Sequence, residues 1–468
     1  MKWTFITQGD VSATPTVEGK TAYVVDWGGW IHAVDTDTGA AKWSVKLSTI
    51  TGSDPSISRT SPVIFNNLVI IGDQGDLDPA FSFPSGNPKT ASVIALNKNT
   101  GAVVWRSVVD SHPFSAITSS PVVSGGKLIV GVTSLEEGAG IIPAYSYSFR
   151  GKVVALNPAT GGLIWETYMV PVGYTGGGVW GNTPAIDTIR KSVFVATGNN
   201  YSVPPAVEAQ IAADPANGES YLAADNFIDA VISLDLNTGA IKWGHRLQGA
   251  DTWNVARSGV FSPVPPPPDP GLGPDYDFAS GPNLYKTKIN GKTVDLVGAG
   301  QKSGKYWALN PDNGAVVWST QVGPGGLAGG IQWGSATDGT RIYVAVSNHD
   351  GKPYQTLTNV TKNAGLWAGL DAATGAYLWQ TPDPLNGKDY GMVTTANGVV
   401  FAASNSGHMY AMNAATGQIL WDFDSLGTVL CGPSVVKGVV YWGSGYGRFA
   451  GQFGGPGANN KLFAFYLP

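Results

Sequence analysis

Apolar residues come in short runs bounded by Gly, Pro, Asn or Asp, as in Ala22-Tyr23-Val24-Val25, Gly162-Leu163-Ile164-Trp165 and Val193-Phe194-Val195-Ala196. Runs of this length, rich in β-branched and aromatic residues, predict strands. The strands follow one grammar. An apolar strand ends at Asp or Asn, a tight turn follows in which Gly takes the positive φ that other residues resist, and a second strand runs back to a Trp. The copies begin at Ala33-Val34-Asp35, Ala95-Leu96-Asn97, Ala155-Leu156-Asn157, Ser233-Leu234-Asp235, Ala308-Leu309-Asn310, Gly369-Leu370-Asp371 and Ala411-Met412-Asn413. Before most copies lies another strand. A shorter one often precedes that, after a Thr-Pro or Ser-Pro step such as Thr14-Pro15, Ser61-Pro62, Ser120-Pro121 or Thr183-Pro184. Each repeat therefore holds about four strands, the size of a propeller blade.

The tryptophans count the blades. Trp43, Trp105, Trp165, Trp243, Trp318, Trp379 and Trp421 close the seven copies, and Trp3 stands without a copy before it. The C-terminal run Lys461-Leu462-Phe463-Ala464-Phe465 has no Trp after it. Pairing the two ends completes an eighth blade and removes the exposed edge strand an open ring would leave. The expectation is an all-β, eight-bladed propeller of four-stranded blades, a single domain over residues 1–468. Uneven spacing of the tryptophans places insertions in the middle blades, at Pro204 to Asn226 and at the proline run Val264 to Pro268.

Composition narrows the class. Charged residues are 13% of the chain, against ~25% in typical globular chains, and glycines number 63, which suits a turn-dense β protein. A net charge of -5 offers no basic surface for nucleic acid. No apolar run reaches the ~18 residues of a spanning helix. The single Cys431 excludes an internal disulfide and a thiolate cluster, and no Cys-x-x-Cys-His stretch is present to attach haem. Low Lys content with abundant Thr, Ser, Asn and Gly suggests a periplasmic or secreted protein.

The tryptophan repeat resembles the docking motif of the quinoprotein dehydrogenases, propellers that hold pyrroloquinoline quinone (PQQ) and a metal on the axis. The stretches Asp26-Trp27-Gly28-Gly29, Ser134-Leu135-Glu136-Glu137-Gly138, Ser148-Phe149-Arg150-Gly151, Thr197-Gly198-Asn199-Asn200-Tyr201, Gln301-Lys302-Ser303-Gly304 and Tyr441-Trp442-Gly443-Ser444 are similar to the branch typified by polyvinyl alcohol dehydrogenases. The resemblance implies metal ligands at Glu136, Asn199 and Asp275, with Asp277 as an added carboxylate. Oxygen donors of this kind suit Ca²⁺, and the extra acid would serve a lanthanide. It also implies Asp275 as catalytic base, and Lys302 both as a catalytic group and as a cofactor contact. Trp180 becomes the floor under the quinone, and Arg59, Thr118 and Asn348 become further contacts. The implied reaction is PQQ-dependent oxidation of an alcohol, secondary or polymeric, with electrons leaving to an external acceptor such as a separate cytochrome c.

One departure stands out. Many relatives carry adjacent cysteines over the PQQ plane, and the comparable stretch here is Ala144-Tyr145-Ser146-Tyr147-Ser148-Phe149. Tyr145 or Tyr147 is the expected replacement roof. Two other readings stay open at this point: a propeller that lost its cofactor and serves as a scaffold, and a propeller enzyme that uses an axial metal without a quinone.

Overall fold

The computed structural model describes residues 1–74, 90–142, 144–181, 183–258, 273–447 and 454–466. Among them are eight antiparallel sheets joined into a ring, seven of four strands and a third blade extended by the short strand Ser115–Ala116. Within a blade the strands follow chain order from the axis outward. Blade six, for example, runs through Ser335–Thr337, Arg341–Val346, Leu366–Asp371 and Tyr377–Pro382. Blade seven runs through Thr394–Ala396, Val399–Ala403, His408–Asn413 and Ile419–Asp424. Blade eight is composite. Its outermost strand is Trp3–Ile6, with Trp3 opposite Ala464 and Ile6 opposite Lys461. The ring closes as the repeat predicts.

Seven of the eight repeat tryptophans join their blade to the next one by an indole hydrogen bond. The Trp165 indole donates to the Leu236 carbonyl at 3.2 Å, one residue past Asp235 of the following repeat, and Trp243 does the same to Pro311 at 3.0 Å. Trp3 reaches Thr36 of blade one at 2.9 Å and so ties the closing strand across the seam. The turn glycine lies under the indole. Gly239 has φ +75°, and a Cβ there would lie 2.5 Å from the Trp165 ring. The repeat therefore needs Gly twice over, for the backbone and for the close approach. Gly239→Ala is expected to lose about 1–3 kcal/mol to the left-handed backbone and a further ~1–3 kcal/mol to overpacking. Denaturant unfolding checks this, and an unchanged midpoint would refute it. Trp421 faces a blade that lacks the turn, and it packs on Phe465 at 5.2 Å instead.

The insert from Pro204 to Asn226 forms the helix Pro205–Ala213 and the 3₁₀ helix Pro215–Tyr221. Ile211 and Leu222 pack there with Val170, Tyr174, Val203 and Ile228 as a small apolar cluster. The proline run Val264 to Pro268 lies outside the described residues.

Candidate active site

A cavity of about 520 Å³ occupies the axis, and every blade contributes to its wall. Part of the wall is a set of hydroxyls from the innermost strands and their approaches, including Thr14, Ser61, Ser120, Thr183, Ser335 and Thr394. These are the polar members of the Thr-Pro and Ser-Pro steps and their counterparts in later blades, turned inward where the strands start.

The charged groups gather at one place. Lys302 Nζ donates to Asp275 Oδ1 at 2.9 Å and to Asp277 Oδ2 at 3.1 Å, and all three side chains are buried. Asp277 also accepts from the Asn199 amide at 2.8 Å and from Trp180 Nε1 at 2.9 Å. The ammonium lies 5.0 Å over the Trp180 ring, a cation–π contact. Burial raises the pKa of Asp275 well above the ordinary carboxylate range. The Asp277, Glu137 and Asp251 charges act in the same sense, and Lys302 acts against them. For Lys302, burial works against the ammonium, but Asp275 and Asp277 outweigh it and the pKa rises. The ammonium is thus the fixed positive charge of the site.

Trp180 reaches the cavity because the loop before it is glycine. A Cβ at Gly176 would lie 2.4 Å from the Asn199 carbonyl, and one at Gly178 would lie 2.2 Å from Thr133 Oγ1. Asn199 lines the cavity too. Both its amide hydrogens are donated, to the Asn200 carbonyl at 2.7 Å and the Trp253 carbonyl at 2.8 Å, which leaves its side-chain oxygen as an acceptor. Across the cavity Arg59 lies 4.9 Å over the Trp27 ring and donates to the Tyr446 hydroxyl at 2.7 Å. Thr118 also lines the wall, and its hydroxyl is buried with no hydrogen-bond partner.

Three groups of expected site residues lie off the cavity wall. Glu136 is not on the cavity. Its carboxylate accepts from the Ser148 and Phe149 amides, each at 2.8 Å, from the Tyr145 hydroxyl at 3.0 Å, and lies 3.2 Å from His112 Nε2. It is a structural anion pinning the 148–149 strand entry. The acid that lines the cavity is its neighbour Glu137, because the short 3₁₀ helix Glu136–Ile141 turns successive side chains to different sides. Asn348 is likewise off the cavity wall. Its amide donates to the Lys352, Asn363 and Ala364 carbonyls and its oxygen accepts the Lys352 amide, so it closes a loop at φ +45°. Tyr145 and Tyr147 do not line the cavity either. Tyr145 serves Glu136, and Tyr147 packs 6.0 Å from Tyr201. Phe114, Tyr201 and Trp253 supply aromatic wall there instead.

The layer behind Asp275 leaves no mark in the sequence. Asp251 accepts the Asp275 amide at 3.1 Å and the Tyr276 amide at 2.8 Å, which holds Asp275 at φ +60°. Asp229 is buried beside it, and burial together with the Asp251 charge pushes its carboxyl well up.

Burial also pushes Glu137 up, to about 7 from 4.5, with Lys302 opposing and Asp277 adding to the rise. Between about pH 4.5 and 7 the folded chain therefore keeps a proton that the unfolded chain has released. Stability of the metal-free protein is expected to fall as pH rises through that window. Glu137→Gln should make the fall shallower while Asp275 still contributes. Urea unfolding at several pH values measures it, and an unaltered slope would mean that Glu137 is ionised throughout.

A family profile described as outer membrane protein assembly factor BamB matches residues 1–138 and 362–451, which carry the blade repeat. The polyvinylalcohol dehydrogenase of Sphingopyxis sp. is 30% identical over 97% of this chain and 69% of its own length. The chain belongs to the PQQ-dependent quinoprotein dehydrogenases. Within that family it falls in the polyvinyl-alcohol-dehydrogenase-like branch, among enzymes. Solved structures share the fold. Quinohemoprotein alcohol dehydrogenase from Comamonas testosteroni superposes with a TM-score of 0.70 at 20% identity, over 100% of this chain and 77% of the other. A europium-containing methanol dehydrogenase gives 0.68 at 16% identity, over 99% and 92%.

The cavity of this quinoprotein fits a flat, multiply anionic cofactor on observations of its own. Thr118 Oγ1, Gln74 Oε1 and Gln332 Oε1 all line it, buried and without partners. Buried polar atoms normally have partners, so the orphans mark where a ligand completes the set. Arg59 makes no ion pair among the described residues, and a cofactor carboxylate is the partner its fork suits.

Proposed function

We propose that this chain oxidises an alcohol, secondary or polymeric, to a carbonyl with PQQ and one metal ion held in the axial cavity, and passes the electrons to an external acceptor. The supporting observation is the buried cluster of Asp275, Asp277 and Lys302 between Trp180, Asn199 and Glu137. Arg59, Thr118, Trp180 and Lys302 are the residues to hold the cofactor. Glu137, Asn199 and Asp275 are the oxygen donors for the metal. When bound, PQQ supplies the two-electron carbonyl acceptor, and the cation beside it supplies Lewis acidity.

The protein's part is proton handling and orientation. Asp275 Oδ1 is held by Lys302, so Oδ2 is left to take the hydroxyl proton of the alcohol. Desolvation raises the pKa of that carboxyl and so makes the carboxylate a stronger base, while the ammonium acts against the rise. Lys302 also stabilises negative charge that develops in the transition state. Asp277 already accepts from Asn199, Trp180 and Lys302, so its oxygens are largely spent on orienting those groups. That favours calcium over a trivalent ion, which wants another free carboxylate. A cytochrome c is an acceptor of the kind this chemistry needs. A periplasmic or secreted location suits this chemistry.

The test is a titration of purified protein with PQQ in Ca²⁺ or La³⁺, read by absorbance and by alcohol-dependent dye reduction. One equivalent bound, with dye reduction that needs calcium, supports the reading. No binding with either metal would refute it and leave the scaffold reading standing.

A further inference from the structure

A second pocket, of about 330 Å³, backs onto the loops that carry the base and the ammonium. Tyr276 lines it and stands between Asp275 and Asp277, while Gln301 and Ser303 line it on either side of Lys302. None of its lining residues lines the axial cavity. Successive residues of each loop thus serve different cavities, with the backbone of the loop between them.

Blade five supplies the rest of the wall. Trp307 follows Lys305 by two positions on the strand Lys305–Leu309, and Lys305 pairs with Gln321 on the outer strand Val316–Gln321. Residues two apart on a strand, and residues directly opposite each other, share a sheet face, so these three side chains stand together. The Lys305 ammonium lies 5.1 Å from the centre of the Trp307 ring and makes no ion pair among the described residues.

Hydrogen bonds fix two side-chain amides in opposite senses. Gln301 Oε1 accepts from the Ser303 hydroxyl at 2.6 Å and from Trp307 Nε1 at 3.1 Å. That orientation leaves Gln301 Nε2 as a donor, and it is buried without a partner. Gln321 is set the other way. Its Nε2 donates to the Ser303 and Gly323 carbonyls, each at 2.7 Å, which leaves its oxygen as an acceptor. The wall therefore combines a fixed donor and a fixed acceptor with the half-buried rings of Trp307 and Tyr276. A hydroxyl both accepts and donates, so it answers both amides. A carboxylate would meet the Gln321 oxygen with like charge, and a hydrocarbon would leave Gln301 Nε2 unpaired.

We propose that this pocket holds a hydroxylated chain, a stretch of the polymeric alcohol that the axial site oxidises. The substrate class rests on the reading of the axial site given above. A small alcohol occupies the axial cavity alone, whereas a polymer is long enough to occupy both places. The second contact is the same before and during the chemical step. It therefore lowers KM for the polymer and leaves kcat alone.

The test begins with protein free of PQQ, titrated with short-chain poly(vinyl alcohol) by calorimetry. Gln321→Met, at an exposed side chain, should weaken binding roughly three- to tenfold, the worth of one hydrogen bond. Trp307→Ala should weaken it roughly tenfold. In the loaded enzyme, KM for the polymer should rise by the same factors, while kcat, and KM for 2-butanol, stay within about twofold of wild type. Polymer affinity that is equal in wild type and Gln321→Met overturns the proposal. A parallel rise in KM for 2-butanol does so too, because the effect would then run through the axial site. Crystals grown with 2,4-pentanediol give a check that needs no variant to fold. A diol oxygen on Gln301 Nε2 supports the site, and water alone there overturns it. Variant-sensitive polymer binding without dye reduction would support this pocket and sink the dehydrogenase reading.

Discussion

Asp275→Asn is expected to lower kcat by roughly a hundred- to ten-thousand-fold with PQQ and calcium supplied, the range for loss of a positioned general base. The substitution isolates proton transfer from the rest of the site. Asn keeps an oxygen to accept from Lys302, as Asp275 Oδ1 does at 2.9 Å. It also tolerates the left-handed backbone at φ +60°, where Asn is among the better-accommodated side chains. What it lacks is a site for the alcohol proton. PQQ binding, followed by quenching of tryptophan fluorescence, should change little, while dye reduction collapses. A kcat within about fivefold of wild type would place the base elsewhere, and Glu137 is the next carboxylate on the cavity wall with a raised pKa.

The fold was legible in the sequence because the repeat is a contact pattern. Trp, turn Gly and Asp or Asn recur together since each docking Trp except Trp421 rests on the next copy's Gly and bonds past its Asp or Asn. The same logic placed Trp3 in the last blade. The site was legible in part. Asp275, Asp277, Lys302, Asn199, Trp180, Arg59 and Thr118 do converge on one cavity. Glu136 and Asn348 do not, for local reasons. Neighbouring acids in a 3₁₀ turn point to different sides, and nothing in Glu136-Glu137 tells which side faces the axis. An Asn after a strand reads alike whether it faces a ligand or closes a loop on Lys352. Asp251 was invisible because its partners are backbone amides of residues 24 and 25 positions away. Such contacts leave no local spacing signal.

Lys302→Met is expected to separate two roles that the same charge plays. Methionine roughly keeps the volume but removes the countercharge shared by Asp275 and Asp277. Breaking a buried pair in this way typically costs about 3–5 kcal/mol, part of which protonation relieves. The carboxylate most ready to take that proton is Asp275, already raised by burial. The base is then neutral at pH values where the wild type has it ionised. The rising limb of the kcat/KM–pH profile should move to higher pH, and even on the alkaline plateau kcat should stay roughly a hundred- to a thousandfold down, as for a lost electrostatic stabiliser. Calcium should respond in the opposite sense. With the ammonium gone, Glu137, Asp275 and Asp277 face the cation without a competitor, so Ca²⁺ affinity rises with pH more steeply than in the wild type. Tighter calcium with slower turnover would show that Lys302 serves the chemistry and opposes the metal. Weaker calcium binding with an unshifted profile would instead make Lys302 a scaffold for the loop, and the assignment of Asp275 as an ammonium-supported base would fall with it.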